Sequence, residues 1–279
     1  MILPSPTTSF EWVGIDGVPG LVCRPLEPFA PHLFTTRHWR LGSRTLESDD
    51  TERWNEVAAA LEVDERRLVR VRQVHGAEMA IARGGVAIRQ DADIIVSDDP
   101  AFALAIRVAD CVPLLIADRR TGAVAAAHAG WRGLAGRVPA AAVDALAREC
   151  GSRVEDLVAA AGPSIGACCY EVGPDVREGF TLAGFSRKEL DEWFVNAPVP
   201  TSRNPSMPGL EAKGRPGRWF FDGWACTRGQ LIAAGVRSAQ IFLAEICTAS
   251  HPGALCSYRR DGAPAGRLAG AIKSVRRRP

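Results

Sequence analysis

Histidine is scarce in this chain: five in 279 residues, alongside two tyrosines and three methionines. So few imidazoles exclude any site assembled from many of them. No CxxC pair occurs among the eight cysteines, which argues against a zinc ribbon or a thioredoxin-type redox motif. Long apolar runs are also missing. The most apolar stretch, "AFALAIRVADCVPLLIAD", is broken by Arg107 and Asp110, too short between charges to span a bilayer. The formal net charge is only +2, so no general attraction to nucleic acid follows. The start, "MILPSPTTSFEW", lacks the basic and continuous apolar regions of a secretory signal. The expectation is a cytoplasmic protein with no membrane and no nucleic-acid partner; the sequence leaves its oligomeric state open.

What is present is ordinary for a globular chain: 47% hydrophobic and 24% charged residues. A chain this long buries a large core without staples. Without a signal peptide, Cys23, Cys111, Cys150, Cys168, Cys169, Cys226, Cys247 and Cys256 read as free thiols or ligands rather than disulfides. For most of them, inert burial is the plain expectation.

No internal repeat and no clear linker divides the chain, so residues 1–279 read as a single domain. "LVRVRQVHG" (68–76) alternates apolar and polar residues, as a half-buried strand does. "ADIIVS" and "FALAIRV" follow as short β-rich runs. "VPLLIAD" and "AVAAAHAG" read as two strands joined by a turn at "RRTG". Runs this apolar fit strands covered on both faces. "PAAAVDALAREC" is an amphipathic helix with Pro139 in its first turn. Further helices are expected over "PDVREGF", "SRKELDEWF" and "WACTRGQLIAAG", the last leading into the strand "AQIFLAE". Residues 196–218, rich in Pro, Gly and Ser, read as a long mobile loop, a candidate lid or insertion. Residues 273–279 form a basic tail. The pattern predicts an α/β or α+β domain with a mixed sheet flanked by helices.

Three residues carry the chemistry: His75 in "RQVHGAE", Cys111 in "VADCVP" and His128 in "AAAHAGWRG". Each sits at or near a predicted strand end, followed by small or turn-forming residues. Two imidazoles and a thiolate are a legitimate zinc set, and three protein ligands leave a fourth position for water or substrate. The separations match no local metal motif, so three unrelated residues remain the simpler reading of spacing alone. Asp110 beside Cys111 is placed either to orient a ligand histidine or to cap a turn. Arg132, behind the glycine of "HAGWRG", is suited to an anionic group, as are Arg37 in "FTTRH" and Arg259 in "CSYRRDG". For any single arginine, a surface ion pair is the competing reading. Gln73 and Tyr258 complete the candidate pocket.

The segments "FTTR", "RQVHG", "DADIIVSD", "ADCVPLLIAD", "AAAHAGWRG", "GPSIGACCYEVG", "ICT" and "CSYRRDG", in this order, resemble the laccase-domain family. That family is described as multicopper polyphenol oxidases and as purine nucleoside phosphorylases. The resemblance implies a β-sandwich-like core and metal ligands at His75, Cys111 and His128. It implies purine nucleosides and phosphate as substrates: cleavage of adenosine, inosine, guanosine or methylthioadenosine, and deamination of adenosine. Zinc is the implied ion, with copper a second candidate. Two departures stand out. "HWRLGS" and "RTLESDDTERWN" replace the usual loop after Arg37, and "FFDGWACTRGQL" replaces the usual late-helix pattern. A full multicopper set of about ten histidines is out of reach of five. A cysteine hydrolase with Cys111 as nucleophile and His128 as base, and a binding domain with a structural metal, stay open on the residues alone.

Overall fold

The computed structural model describes residues 2–42, 51–84, 90–210 and 214–275. Residues 43–50 of the altered loop after Arg37, and the end of the basic tail, lie outside the described residues. Along the chain run β1 (Phe10–Ile15), β2 (Val18–Cys23), β3 (His32–Thr35), α1 (Thr51–Ala60), β4 (Leu68–Val69), β5 (Met79–Ile81) and β6 (Ile94–Ser97). Next come β7 (Ala103–Val108), β8 (Val112–Asp118), β9 (Val124–Ala129), α2 (Trp131–Ala135), α3 (Val138–Cys150) and β10 (Leu157–Ala161). They are followed by β11 (Glu171–Val172), α4 (Pro174–Leu182), α5 (Arg187–Trp193), β12 (Phe194–Val195) and β13 (Trp219–Phe221). The last elements are α6 (Gly223–Ala233), β14 (Ile241–Leu243), α7 (Tyr258–Asp261) and β15 (Leu268–Lys273).

Two six-stranded sheets form the centre, ordered β1-β2-β3-β15-β7-β4 and β14-β10-β8-β9-β6-β5. Both mix parallel and antiparallel pairs; in the second, the two edge pairs are parallel and the interior is antiparallel. A small antiparallel sheet, β11-β13-β12, joins the core of the helical layer through Val172, Phe194 and Phe221.

Alternation along the apolar runs explains the layering. In β7, Leu104, Ile106 and Val108 enter the core between the sheets, while Ala103 and Ala105 meet α1 and its Trp54. In β8, Leu115 and Ala117 face the first sheet; Leu114 and Ile116 face the helices. In β9, Val124 and Ala126 point inward, and Ala125, Ala127 and Ala129 point to the helical layer. Continuous apolar sequence is therefore required, because both faces of these strands are dry. Each fully buried leucine or isoleucine contributes about 1.5–3 kcal/mol of transfer free energy. Helix α3 returns Val138, Ala142, Val143, Ala145 and Leu146 to the second sheet, at helical spacing.

The β8–β9 turn forms as expected at "RRTG": Asp118 Oδ1 accepts hydrogen bonds from the Arg120 and Thr121 N–H groups at 2.7 and 3.1 Å. Helix α5 starts on a capping box between Ser186 and Glu189. No helix among the described residues is long and apolar enough to cross a membrane.

One expected element is corrected. Only Leu68–Val69 of "LVRVRQVHG" forms a strand, with a lone bridge from Arg72 to Asp91. Beyond it, the Gln73 side chain stands in for the missing ladder, donating to Arg107 O at 2.8 Å and accepting from Arg107 N–H at 2.7 Å. A strand cannot continue because His75 adopts a left-handed backbone, φ 62°. Between residues 196 and 218 the described residues hold no regular secondary structure. Asn204 in this segment is buried, and its amide bonds Glu245 O and Cys247 N–H.

Candidate active site

The β8–β9 hairpin places the first two candidates. Its register pairs Val112 with Ala129, so Cys111 faces Gly130 just beyond the open end. His128 is the penultimate residue of β9 and is buried. Asp110, at φ 90°, turns the chain so that Cys111 points back toward the hairpin. Only glycine fits at 130. A Cβ there would stand 2.9 Å from Cys111 Sγ and 3.1 Å from His75 Cδ2. The His75 and His128 rings meet edge to face, centroids 4.7 Å apart. One ligand atom from each of His75, Cys111 and His128 lies within 4.8 Å of the others.

Asp93 holds this arrangement together, and the residues singled out from sequence did not include it. It directly precedes β6, which pairs with β9, so it adjoins His128. Its Oδ1 accepts from His128 Nδ1 at 2.7 Å and from His75 N–H at 3.1 Å. Its Oδ2 accepts from Gly76 and Val74 N–H at 2.7 and 3.2 Å. With Nδ1 engaged, His128 presents Nε2 to the cluster. Burial opposes the charge on Asp93, but the bonds from His128, Gly76 and Val74 outweigh it and hold the carboxyl below its usual range. The available signal was the "DADIIVSD" segment, where an acid meets a fully buried strand.

Of the two roles open to Asp110, its hydrogen bonds fit the second, holding a turn, rather than orienting a histidine. Its oxygens accept from Thr248 Oγ1 and Arg259 N–H, each at 2.6 Å, which ties the Cys111 corner to the C-terminal segments. Burial pushes its carboxyl up.

Burial likewise opposes ionisation of Cys111, yet the charge and hydrogen bond of His128, joined by those of His75, hold the thiol at about 6. His128 is resisted by burial and raised by Cys111 and Asp93 to about 9. The cluster therefore favours a thiolate. A tetrahedral zinc ion with bonds of about 2.0–2.3 Å separates its ligands by about 3.3–3.8 Å, compatible with this spacing. The donor set suits zinc, and it suits copper as well.

A small pocket opens beside Cys111, lined among others by Asp110, Trp131, Ile165, Tyr170 and Phe221. Tyr170, the tyrosine of "GPSIGACCYEVG", stands on this wall. Burial raises its phenol, opposed by the charges of Arg259 and Arg132, so both cations bear on this side of the cavity. Arg259 stacks on the Tyr170 ring at 4.9 Å and donates to Glu171 O at 2.6 Å. Arg132 lies over Trp131 at 4.2 Å. The other candidates stand differently. Arg37 is exposed, bonds Pro252 O, and its charge acts on Cys256 and Asp261. Gln73 is committed to the Arg107 main chain, and Tyr258 opens α7 about half exposed.

A family model described as "Multi-copper polyphenol oxidoreductase laccase" matches residues 46–274. The chain belongs to this family. Among laccase-domain relatives, a purine nucleoside phosphorylase of Deinococcus radiodurans is 33% identical over 258 residues, 88% of this chain and 90% of that protein. A purine nucleoside phosphorylase of Bacteroides thetaiotaomicron is 36% identical over 181 residues, 64% of this chain and 60% of that protein. "Adenosine deaminase RL5", from an unknown prokaryotic organism, is 32% identical over 220 residues, 76% of each chain. Among solved structures, YlmD from Geobacillus stearothermophilus aligns with a TM-score of 0.74 at 27% identity, covering 91% of this chain and 96% of that one. The remaining histidines of this laccase-domain chain are engaged elsewhere. His32 bonds Cys23 N–H and Ala30 O, His38 contacts Gly253 O, and His251 contacts Asn204.

Proposed function

We propose that this chain is a zinc-dependent purine nucleoside enzyme. It cleaves adenosine, inosine, guanosine or methylthioadenosine with phosphate, and it deaminates adenosine. The observation that carries the reading is the meeting of His75, Cys111 and His128 beside an aromatic-walled cavity, in a chain whose relatives carry those two activities in their names. Bound by these three side chains, zinc supplies Lewis acidity that brings the pKa of water to about 7; copper is the alternative ion.

The protein's own residues supply the rest. Asp93 fixes the tautomer of His128 and holds the His75 loop. Trp131, Ile165, Tyr170 and Phe221 take the faces of the purine and exclude bulk water. Arg259 and Arg132 attract phosphate to the Tyr170 side, where anionic phosphate offsets the positive charge developing on the sugar as the glycosidic bond breaks. Tyr258 and Arg37 extend the substrate side, and Gln73 positions the loop that carries His75.

Incubation with adenosine and phosphate is the direct test. Inosine, or adenine with ribose 1-phosphate, should form well above a Cys111→Ala control. Detecting none of these products overturns the reading. A second reading is favoured by one observation: Asp93, His128 and Cys111 form a carboxylate–imidazole–thiol relay, as a cysteine nucleophile requires. His75→Ala separates the two. It abolishes a metal-dependent reaction but leaves the relay of a cysteine hydrolase intact.

A further inference from the structure

Three other cysteines meet away from Cys111. Cys168 and Cys169 lie on the turn after β10, and Cys247 follows β14. Main-chain bonds from Ser164 N–H to Ile246 O and from Thr248 N–H to Ser164 O draw the two segments together. The three sulfurs lie within 4.8 Å of one another. All three residues are buried, and none is in a disulfide.

Buried thiols are usually small hydrophobes. These differ in their hydrogen bonds. Gly166 N–H donates to Cys247 Sγ at 3.4 Å, and Met207 N–H donates to Cys169 Sγ at 3.2 Å. Main-chain N–H groups aimed at sulfur offset thiolate charge, as they do around metal-bound thiolates. Ser250 Oγ stands 3.6 Å from Cys168 Sγ and 3.5 Å from Cys169 Sγ. It donates its own proton to Pro205 O at 2.6 Å, which turns its lone pairs toward the sulfurs. Ile165, Met207, Leu210 and Trp224 pack around the group and keep water from it.

The geometry points to a second metal site: Cys168, Cys169 and Cys247 bind a thiophilic d10 cation, Zn²⁺ or Cu(I). Thiolates select these ions. Three sulfurs complete a trigonal Cu(I) site, and the Ser250 hydroxyl supplies the fourth position that zinc requires. Loading releases the thiol protons to solvent and changes no oxidation state. The site clamps three segments: the 164–169 turn, the Pro-rich stretch at 205–207, and residues 246–250. The first of these carries Ile165, and Tyr170 follows it, so the clamp also sets one wall of the cavity at Cys111. The inference does not depend on the proposed nucleoside chemistry.

The test is metal content per full-length chain, with Zn²⁺ alone or Cu(I) alone added under anaerobic conditions after chelation. Wild type should hold two ions. Cys111→Ser should retain one, with a sulfur-dominated shell by X-ray absorption. Cys247→Ser and Cys168→Ser should each lose one ion and keep the one at His75, Cys111 and His128. Ser250→Ala that loses the ion assigns zinc, and Ser250→Ala that keeps it assigns Cu(I). A Cys111→Ser chain that binds neither ion overturns the proposal, even if the other variants do not fold. Equal metal content in wild type, Cys247→Ser and Cys168→Ser also overturns it. So does a count of six rather than eight free thiols in the denatured protein, since two of these sulfurs would then be joined.

Discussion

Asp93 and His128, 35 residues apart in sequence, are joined by a 2.7 Å hydrogen bond, and the same carboxylate collects three consecutive N–H groups from the loop of His75. One buried acid thus positions both imidazoles of the cluster.

Exchanging this carboxylate for an amide tests the role. Asp93→Asn keeps the size but turns an NH₂ toward groups that also donate. Metal affinity at His75, Cys111 and His128 should fall by about 10–100-fold. Competition against a chromophoric chelator measures it, and unchanged affinity would remove Asp93 from the site.

Gly130→Ala should harm the site without harming the fold. The added methyl would stand 2.9 Å from Cys111 Sγ, closer than real contacts allow. The thiol or the His75 ring must shift, with at least about a tenfold loss of metal affinity, since one bond of the three is compromised. The circular dichroism spectrum should match wild type; full metal affinity would show that the cluster tolerates the shift.

In protein stripped of metal, Cys111 should alkylate as a low-pKa thiol. The thiolate is the reactive form, so the rate should rise with pH through a midpoint near 6, where His128 and His75 hold it against burial. Iodoacetamide labelling read by peptide mass spectrometry reports this. His128→Ala should move the midpoint up, and a midpoint near 9 in wild type would contradict the cluster's electrostatics.

His32 gives the fold a pH dependence of its own. It is buried and neutral, donating from Nδ1 to Ala30 O and accepting Cys23 N–H at Nε2. Burial holds its pKa below the usual 6.5. The unfolded chain therefore takes the proton first as pH falls. The stabilisation is complete above about 6.5 and declines below it, down to the lower folded value. His32→Gln, which disturbs the Cys23 bond, should cost about 1–3 kcal/mol at pH 7.5. By urea unfolding, that cost should shrink at pH 5; a cost that grows would reverse the assigned protonation state.

The sheets and helices were legible because their signals are local. Period-2 burial in β7, β8 and β9, the Asx turn at Asp118 and the helical spacing in α3 each lie within a few residues. The stretch after Val69 was misread because alternation persists there while a side-chain amide, Gln73, replaces the ladder. Asp93 was missed because an acid before a strand looks like any turn residue until its partners at 74–76 and 128 are known. Asp110 was left with two possible roles because sequence adjacency to Cys111 says nothing about which way its oxygens face; in the fold they accept from Thr248 and Arg259.

By itself the sequence determined the mixed α/β class, the dry strands on both faces, and the identities of His75, Cys111 and His128 as candidates. Burial periodicity and residue chemistry are properties of short windows, and they survive without a fold. Only the tertiary structure decided that Asp93 rather than Asp110 orients the imidazoles, that Tyr170 walls the cavity, and that Cys168, Cys169 and Cys247 converge. Those facts depend on the packing of strands and turns distant in the chain, which no local pattern encodes.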